Sequence, residues 1–487
     1  MIWTAAQDTL LAAPPVRRLA AAPAGLAETV ELTEAHLDSA THTVADFERA
    51  LDGLVRQAHR DRHALAAALS PALGHRYAEE EIEAHRLAGI DVVVATLLWR
   101  VPGYSLGPAY VRRHRGHEEC AQGGLELVVA ARVREVGYGL LSGHRPPFLL
   151  AAPTWETGSL EAAELVGRLA EYGQLGIRPG PVDFAQALLR VRRDDPAAAS
   201  AAEAAARLGT SEGDRLAAWL GPDGEPGVAL RRVVAPDPGV HRAWSRTGAA
   251  AAQVTYVSGE RPALVAEFPD PFHWMGRPHE GFTHCYHWHG GHAVRAAVLP
   301  EERETQAAWL LPGVTLAATA GDHGSAWMLP HLARLGGPAG PALHAAVAAG
   351  LGGRYPESRQ PAVEALLALA ARGDLDAPLL GRELAAMTAL GTVKPNRLAE
   401  AARSVAASGA CAILWAVLAE VLPALLPSVR GAGEVLAVAA ECVERCGAAG
   451  PVPAEVAAAA ARPGSSRVVT EARRLTAGLA GHPGRRA

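Results

Sequence analysis

The chain has 487 residues and a formal net charge of −5, and 49% of its residues are hydrophobic and 20% charged. This length predicts about two to four domains, and the composition is typical of a globular protein and excludes an intrinsically disordered one. Two short basic runs, 112–115 and 190–193, are each followed by acidic residues, so neither predicts the basic face of a duplex-DNA-binding protein, and we expect no nucleic-acid partner.

Residues 1–195 have a mostly helical pattern. Thr43–Leu69 carries apolar residues at helical spacing, and Asp183–Arg190 predicts a further helix at the end of the region. The β-branched apolar run Asp91–Trp99 fits both a strand and a buried helical turn. Gly143–Gly158 contains three prolines between two terminal glycines, which predicts an ordered extended loop.

The segment Gly103–Gly107 matches the G-x-S-x-G pattern, with Ser105 at its centre. In α/β-hydrolases this pattern forms a turn between a strand and a helix that exposes the serine to its base. The preceding hundred residues are helical in pattern and show no alternation of strands with helices. This helical context argues against a catalytic role for Ser105, and a serine hydrolase remains the alternative.

Residues 196–335 predict a small module that is partly β or irregular. Ala197–Leu208 fits one more helix or a linker. Strand-like runs separated by turn signals follow, and they are Gly227–Val234, Val254–Val257, Ala263–Phe268 and Val314–Ala318.

Six histidines and one cysteine lie within residues 273–292 of this module: His273, His279, His284, Cys285, His287, His289 and His292. Imidazole and thiolate are zinc ligands, so His284, Cys285, His287 and His289 are the candidate ligands of a metal site. Their spacing fits no standard zinc finger, and H-E-x-x-H is absent. We favour a His-rich strand that binds no metal, with zinc and a metal-dependent hydrolase as the alternative.

Residues 336–487 predict stacked pairs of amphipathic helices. Helix pairs begin near residues 361, 395 and 432, and a period of roughly 34–47 residues is typical of helix-pair solenoids. Gly373, Gly391, Gly409 and Gly447 follow the predicted helices, where a left-handed cap residue is needed. An irregular helical bundle is the alternative.

The cysteines and the apolar segments indicate where in the cell the protein is located. Five scattered cysteines predict no disulfide framework, and Met1–Leu19 lacks the basic-then-apolar order of a secretory signal. The apolar stretch Ala410–Val429 contains Glu420, Pro423 and Pro427, which favours a buried helix over a membrane span. We therefore expect a cytoplasmic protein without a membrane segment.

Several stretches of the chain share their pattern with one group of proteins. They are Pro147–Gly158 (PFLLAAPTWETG), Gly180–Arg190 (GPVDFAQALLR), Arg359–Pro427 with KPNR at 394–397, and Ser465–Arg474. In these stretches the chain resembles an uncharacterised family of high-GC, actinobacterial-type bacteria that carries a domain-of-unknown-function label and a HEAT-like C-terminal half. The resemblance implies a scaffold-like role beside AAA-type ATPase and von Willebrand A-type proteins, and it supplies no catalytic residues.

Together these patterns predict a mainly α protein with three regions: helical 1–195, mixed 196–335 and a HEAT-like α-α superhelix at 336–487. We expect a non-enzymatic helical-repeat scaffold that binds a protein partner and has no catalytic residue and no cofactor. The alternative is a hydrolase that uses the His273–His292 cluster or Ser105.

Overall fold

The computed structural model describes residues 8, 15–39, 43–77, 80–107, 121–194, 196–221, 224, 228–236, 252–279, 291–321, 325–426 and 430–481. Within these ranges the chain forms 21 helices, five short 3-10 turns and one two-stranded sheet. The predicted mainly α fold is confirmed. The middle region is only partly described.

The described part of the N-terminal block contains six helices. They are α1 (Leu26–Asp38), α2 (Val44–Leu73), α3 (Asp91–Leu97), α4 (Ala121–Ser142), α5 (Ala162–Leu175) and α6 (Pro181–Arg190). The side chain of Thr43 caps α2 by accepting a hydrogen bond from Asp46 N at 3.1 Å. Asp61 interrupts α2 with non-helical dihedral angles, and its carboxylate accepts hydrogen bonds from the next two free N–H groups, at 2.9 and 3.0 Å. The kink therefore starts a new capped helical segment.

The ambiguous run Asp91–Trp99 is a helix over its first seven residues. Every side chain from Val92 to Leu97 is buried, so the run has no polar face that would reveal a helical period in the sequence. Trp99 follows with a φ of 60° and is 59% exposed.

The middle region combines short helices with one hairpin. Its elements are α7 (Ala198–Ala206), α8 (Ser211–Leu220), β1 (Leu230–Pro236), β2 (Ala252–Ser258), α9 (Pro262–Ala266), α10 (His273–Gly276) and α11 (His292–Ala296). The first two predicted strands are confirmed as β1 and β2, which pair antiparallel from Leu230 opposite Ser258 to Pro236 opposite Ala252.

The other two strand predictions are wrong. Ala263–Phe268 contains most of α9, because Pro262 occupies the first helical turn, where its fixed φ and missing N–H favour helix initiation. Val314–Ala318 lies inside a long helix and is fully buried. A helix that is buried on all sides shows the same continuous apolar run as a buried strand.

The C-terminal part is a two-layer stack of helices, and the predicted helix-pair solenoid is confirmed. Layer A contains α12 (Arg303–Thr319), α14 (Pro341–Leu351), α16 (Ala377–Ala389), α18 (Cys411–Leu425) and α20 (Ala454–Ala461). Layer B contains α13 (Leu329–Leu332), α15 (Pro356–Arg372), α17 (Pro395–Ala407), α19 (Ala432–Cys446) and α21 (Arg467–Leu479). Within each layer every helix packs against the next helix of that layer. The alternation thus starts at Arg303, before residue 336.

Local signals in the sequence account for the helix ends of the stack. The four glycines expected after its helices all have positive φ, for example 75° at Gly373 and 66° at Gly447. The apolar stretch Ala410–Val429 contains α18, whose core side chains are buried in layer A. Among the described residues, none of the helices is both long enough and apolar enough to cross a membrane.

Two hydrophobic cores hold the molecule together. The smaller one is built mainly by α2, α3 and α4. The larger one is continuous from Leu125 through the middle region to Leu479 at the end of the stack. The β1–β2 hairpin joins this core by packing on layer A, where Arg232 forms a bidentate ion pair with Glu383 of α16 at 2.9 Å. The middle region therefore covers the first half of layer A.

A matched pair of glycine substitutions tests the packing of layer A. A Cβ at Gly381 of α16 would lie 2.5 Å from Glu420 Cβ and 2.6 Å from Val417 O of α18. Because the two helices would have to separate, we expect Gly381→Ala to lower the free energy of unfolding by about 1–3 kcal/mol. Gly167→Ala is the control, since a Cβ at this exposed helical position meets nothing within 4 Å, and it should raise stability by about 0.5–1 kcal/mol.

Urea unfolding of the two variants beside the wild type measures both effects. Equal stability of the wild type and Gly381→Ala would contradict the close approach of α16 and α18.

Candidate functional site

Ser105 lies in the 3-10 turn Gly103–Leu106 and is fully buried. Its hydroxyl donates to Pro102 O at 2.9 Å and accepts from Ala84 N at 3.2 Å. Both partners are backbone groups, and the element before the turn is a helix instead of a strand. The geometry therefore differs from an exposed nucleophile at the turn between a strand and a helix, and Ser105 acts here as a structural hydrogen-bonding group.

The four candidate zinc ligands, His284, Cys285, His287 and His289, lie outside the described residues. Three other histidines of the cluster are described and lie apart in sequence on different elements: His273 starts α10, His279 pairs with Ser258, and His292 starts α11. Among the described residues no group of three metal-ligating side chains comes together.

The environments of His279 and His292 favour the neutral imidazole. Burial lowers the pKa of His279 to about 4. Burial, together with the positive charge of Arg295, also lowers the pKa of His292 to about 4. Both side chains are therefore uncharged at neutral pH.

A buried ion-pair network joins three helices of the N-terminal block. Glu48 of α2 accepts hydrogen bonds from both terminal nitrogens of Arg132 of α4, at 2.7 and 3.1 Å. Arg190 Nη2 of α6 lies 2.7 Å from Glu48 Oε1, and all three side chains are at most 2% exposed. Burial by itself raises the pKa of Glu48, but the attraction of the two guanidinium groups outweighs it and lowers the pKa from 4.5 to about 2.

The same network fixes the loop 146–158, which follows α4. Asp52 and Asp183 accept hydrogen bonds from backbone N–H groups of the loop at 2.8 and 2.6 Å. Arg168 and Arg190 donate to its carbonyl groups at 2.9 and 2.7 Å. The ordered extended loop that the sequence predicts is therefore confirmed. Charged side chains hold its first half, and backbone hydrogen bonds to residues 17–19 hold Thr154–Glu156.

A cleft of about 560 Å³ opens beside this loop. Its walls come from α2, from the loop, from the start of α5 and from the extended segment 18–22. We call it the arginine cleft, because Arg18, Arg49, Arg56 and Arg168 line it. A volume of this size is within the range of small-molecule sites.

A second feature lies on the surface of the stack, where the first helices of layer B begin. We call it the arginine–aromatic patch and define it by Trp327, Arg354, Tyr355 and Arg397. Trp327 and Tyr355 are 45% and 40% exposed, and the Arg354 guanidinium lies 5.8 Å from the centre of the Tyr355 ring. The 3-10 turn Ser325–Met328, which carries Trp327, packs against α15.

Contacts to the ends of layer A helices fix this patch. Arg397 Nη1 donates to Ala318 O at 2.6 Å, and Arg354 N donates to Ala317 O at 2.9 Å. Burial and the positive charges of Arg354 and Arg359 lower the pKa of Arg397. The patch is therefore a crowded positive surface with exposed rings.

Neither the ion-pair network nor the patch is singled out by the sequence analysis. A signal for the network does exist, because Glu48 and Asp52 fall one and two turns after Val44, on the face of α2 that the apolar pattern assigns to the core. Acids at core positions indicate buried partners. The partners themselves are distant in the sequence, since Arg132 follows Glu48 by 84 positions.

The chain matches no protein-family model, no curated protein and no solved structure. The resemblance to the actinobacterial-type family remains a prediction from the sequence. Functional inference therefore depends on the geometry of the sites described above.

Substitution of Glu48 tests the ion-pair network. Glu48→Gln leaves two buried guanidinium groups without their negative partner, so we expect the free energy of unfolding at pH 7 to fall by about 3–5 kcal/mol. Glu203→Gln is the control, because its ion pair with Arg207 at 3.8 Å is exposed and should contribute less than about 0.5 kcal/mol. Urea unfolding measures both changes.

The pH dependence of this loss provides a second test. Folding lowers the pKa of Glu48 from 4.5 to about 2, so its contribution is complete above the unfolded pKa and is lost as the pH falls through the folded pKa. The difference between the wild type and Glu48→Gln should therefore shrink from pH 5 towards pH 2. A difference that is independent of pH would contradict an ionised Glu48.

Elemental analysis tests the His-rich segment. We expect purified, tag-free protein to contain no stoichiometric zinc, and a His284→Ala/Cys285→Ala variant to have the same metal content as the wild type. About one zinc ion per wild-type chain that disappears in the double variant would make the segment a metal site.

Proposed function

We propose that the chain is a helical-repeat scaffold that binds an acidic segment of a protein partner at the arginine–aromatic patch. The observation that carries this proposal is the pairing of two exposed rings, Trp327 and Tyr355, with two guanidinium groups that form no ion pair among the described residues, Arg354 and Arg397. The scaffold acts without catalysis and in the cytoplasm.

The composition of the patch supports a protein interface. Tyrosine, tryptophan and arginine are the residues most enriched at binding hot spots. A ring offers a large contact area at a low cost in conformational entropy, and a guanidinium group binds a carboxylate through two parallel hydrogen bonds.

The rest of layer B provides a contrast. Four of its arginines pair with glutamates of a neighbouring helix: Arg359 with Glu400, Arg403 with Glu434 at 2.5 Å, Arg467 with Glu434 at 2.7 Å, and Arg474 with Glu444. These ion pairs link successive helices of layer B, and the positive charge of each arginine is already paired with a carboxylate. Arg354 and Arg397 therefore offer the positive charge that an acidic partner requires.

The stack also supports the proposal through its rigidity. Each helix of the stack packs against neighbours on at least two sides, and such solenoids present extended surfaces to proteins and peptides. Because the Arg397 side chain and the Arg354 backbone are anchored to carbonyl groups at the end of α12, less ordering is needed when a partner binds.

Affinity capture with matched variants tests the proposal. Immobilised wild-type protein, an Arg354→Glu/Tyr355→Ala variant and an Arg207→Glu/Leu175→Ala control would be exposed to native lysate at several salt concentrations. Leu175 is 51% exposed and the Arg207 side chain is 70% exposed, so the control changes an exposed arginine and an exposed hydrophobic side chain elsewhere. We expect a partner that the wild type and the control retain and that the patch variant loses by about tenfold or more.

Retention should fall as the salt concentration rises, because charges are screened. Equal retention by all three proteins, or no protein above background, would count against the proposal. A filter-binding assay at low salt separates an acidic protein from a nucleic acid, and we expect no retention of nucleic acid.

A further inference from the structure

The arginine cleft has the features of a ligand site that is separate from the partner surface on the stack. Its volume is about 560 Å³, and it opens to solvent between α2, the loop 146–158 and the start of α5. Small apolar residues, among them Ala20–Ala22 and Pro153, form the other part of its wall. A ligand there would contact both guanidinium groups and a compact apolar surface.

Three of the arginines are held in place by the protein. Arg168 Nε bonds to Glu164 at 3.1 Å, and its Nη1 donates to loop carbonyl groups. Arg56 Nε bonds to Asp52 at 2.7 Å, and its guanidinium lies 4.9 Å from the centre of the Phe148 ring. Because their orientations are already fixed, little side-chain entropy would be lost on binding.

Arg49 approaches the cleft from a different turn of α2. Its Nε donates to Ala21 O at 3.1 Å and its Nη2 pairs with Glu28 at 3.0 Å. These contacts hold Arg49 between α2 and the extended segment 18–22.

The fixed arginines retain unused donors. Among the described residues, Arg168 Nη2, Arg49 Nη1 and both terminal nitrogens of Arg56 make no hydrogen bond. None of these atoms belongs to the buried polar atoms that lack partners, so solvent in the cleft reaches them. They are the donors that a bound oxyanion would use.

The acidic side chains of the lining are already committed to protein partners. Glu48 is shared by the buried Arg132 and Arg190. Asp52 accepts from Arg56 and from a backbone N–H of the loop, at 2.7 and 2.8 Å. Glu164, the third acid of the lining, bonds to Arg168 at 3.1 Å. The negative charges therefore hold the arginines in place, while the guanidinium nitrogens named above remain without a hydrogen bond among the described residues.

We propose that the arginine cleft binds a small organic oxyanion, a compound with at least two negative charges on phosphate or carboxylate groups and a compact apolar part. Guanidinium groups match both oxyanions through paired, charge-assisted hydrogen bonds. The apolar part would lie against Ala20–Ala22. The site requires no catalytic residue and is independent of the scaffold role.

Calorimetric titration at constant ionic strength tests this site with two probes, inorganic pyrophosphate for phosphate chemistry and citrate for carboxylate chemistry. We expect the wild type to bind at least one probe saturably, and the probe that binds more tightly identifies the oxyanion class. Arg56→Gln and Arg49→Gln should each weaken that binding by about tenfold, as expected for the loss of one charge-assisted hydrogen bond.

Arg207→Gln is the matched control, because this exposed arginine also pairs with an acid one helical turn away but lies outside the cleft. It should bind as the wild type does. Arg49 is paired with a partly exposed glutamate, so Arg49→Gln is expected to stay folded even if Arg56→Gln loses stability, and thermal melting checks this. The proposal is overturned if neither probe binds saturably, if Arg49→Gln binds as the wild type does, or if Arg207→Gln weakens binding equally.

Discussion

The position of one buried carboxylate governs the N-terminal half of the molecule. Glu48 joins α2 to α4 and α6 through Arg132 and Arg190, and all three charged groups are removed from water. Apolar packing alone is non-directional, whereas a carboxylate between two guanidinium groups tolerates few arrangements. The loop 146–158 depends on the same groups, because Arg190 also donates to a loop carbonyl and to Ala297 O of the middle region at 3.0 Å. The network thus connects the small core to the large one.

This arrangement explains why the two proposed surfaces differ in kind. Around the arginine cleft, acids hold the arginines in place, and the guanidinium nitrogens without a hydrogen bond line a cleft that opens to solvent beside a fixed loop. On the stack, several arginines of layer B pair with glutamates of neighbouring helices, whereas Arg354 and Arg397 of the arginine–aromatic patch form no ion pair among the described residues. The cleft suits a small ligand that binds between its walls. The patch suits a macromolecular partner that contacts the surface of the stack.

The sequence predicted the stack well because its signals are local. Apolar residues at helical spacing and glycines after the helices identify α15 to α19 without knowledge of any distant contact. Burial removed the period at Val314–Ala318, where the strand prediction failed, and at Asp91–Trp99, where the sequence left a strand and a buried helical turn open. They also missed the network and the cleft, because Glu48, Arg132 and Arg190 meet only after folding. The acids on the apolar face of α2 indicated a buried partner but not which one.

The continuous core has a mechanical consequence for the stack. At one end, α12 and α14 are clamped by the β1–β2 hairpin and share the core of the middle region. Among the described elements, α20 and α21 pack mainly on each other and on α18 and α19. In a stack of this kind, each pair of helices is stabilised mainly by the pairs next to it. Among the described helices of the stack, we therefore expect opening to begin at α20 and α21, which have the fewest packed neighbours, and to reach α12 and α14 last.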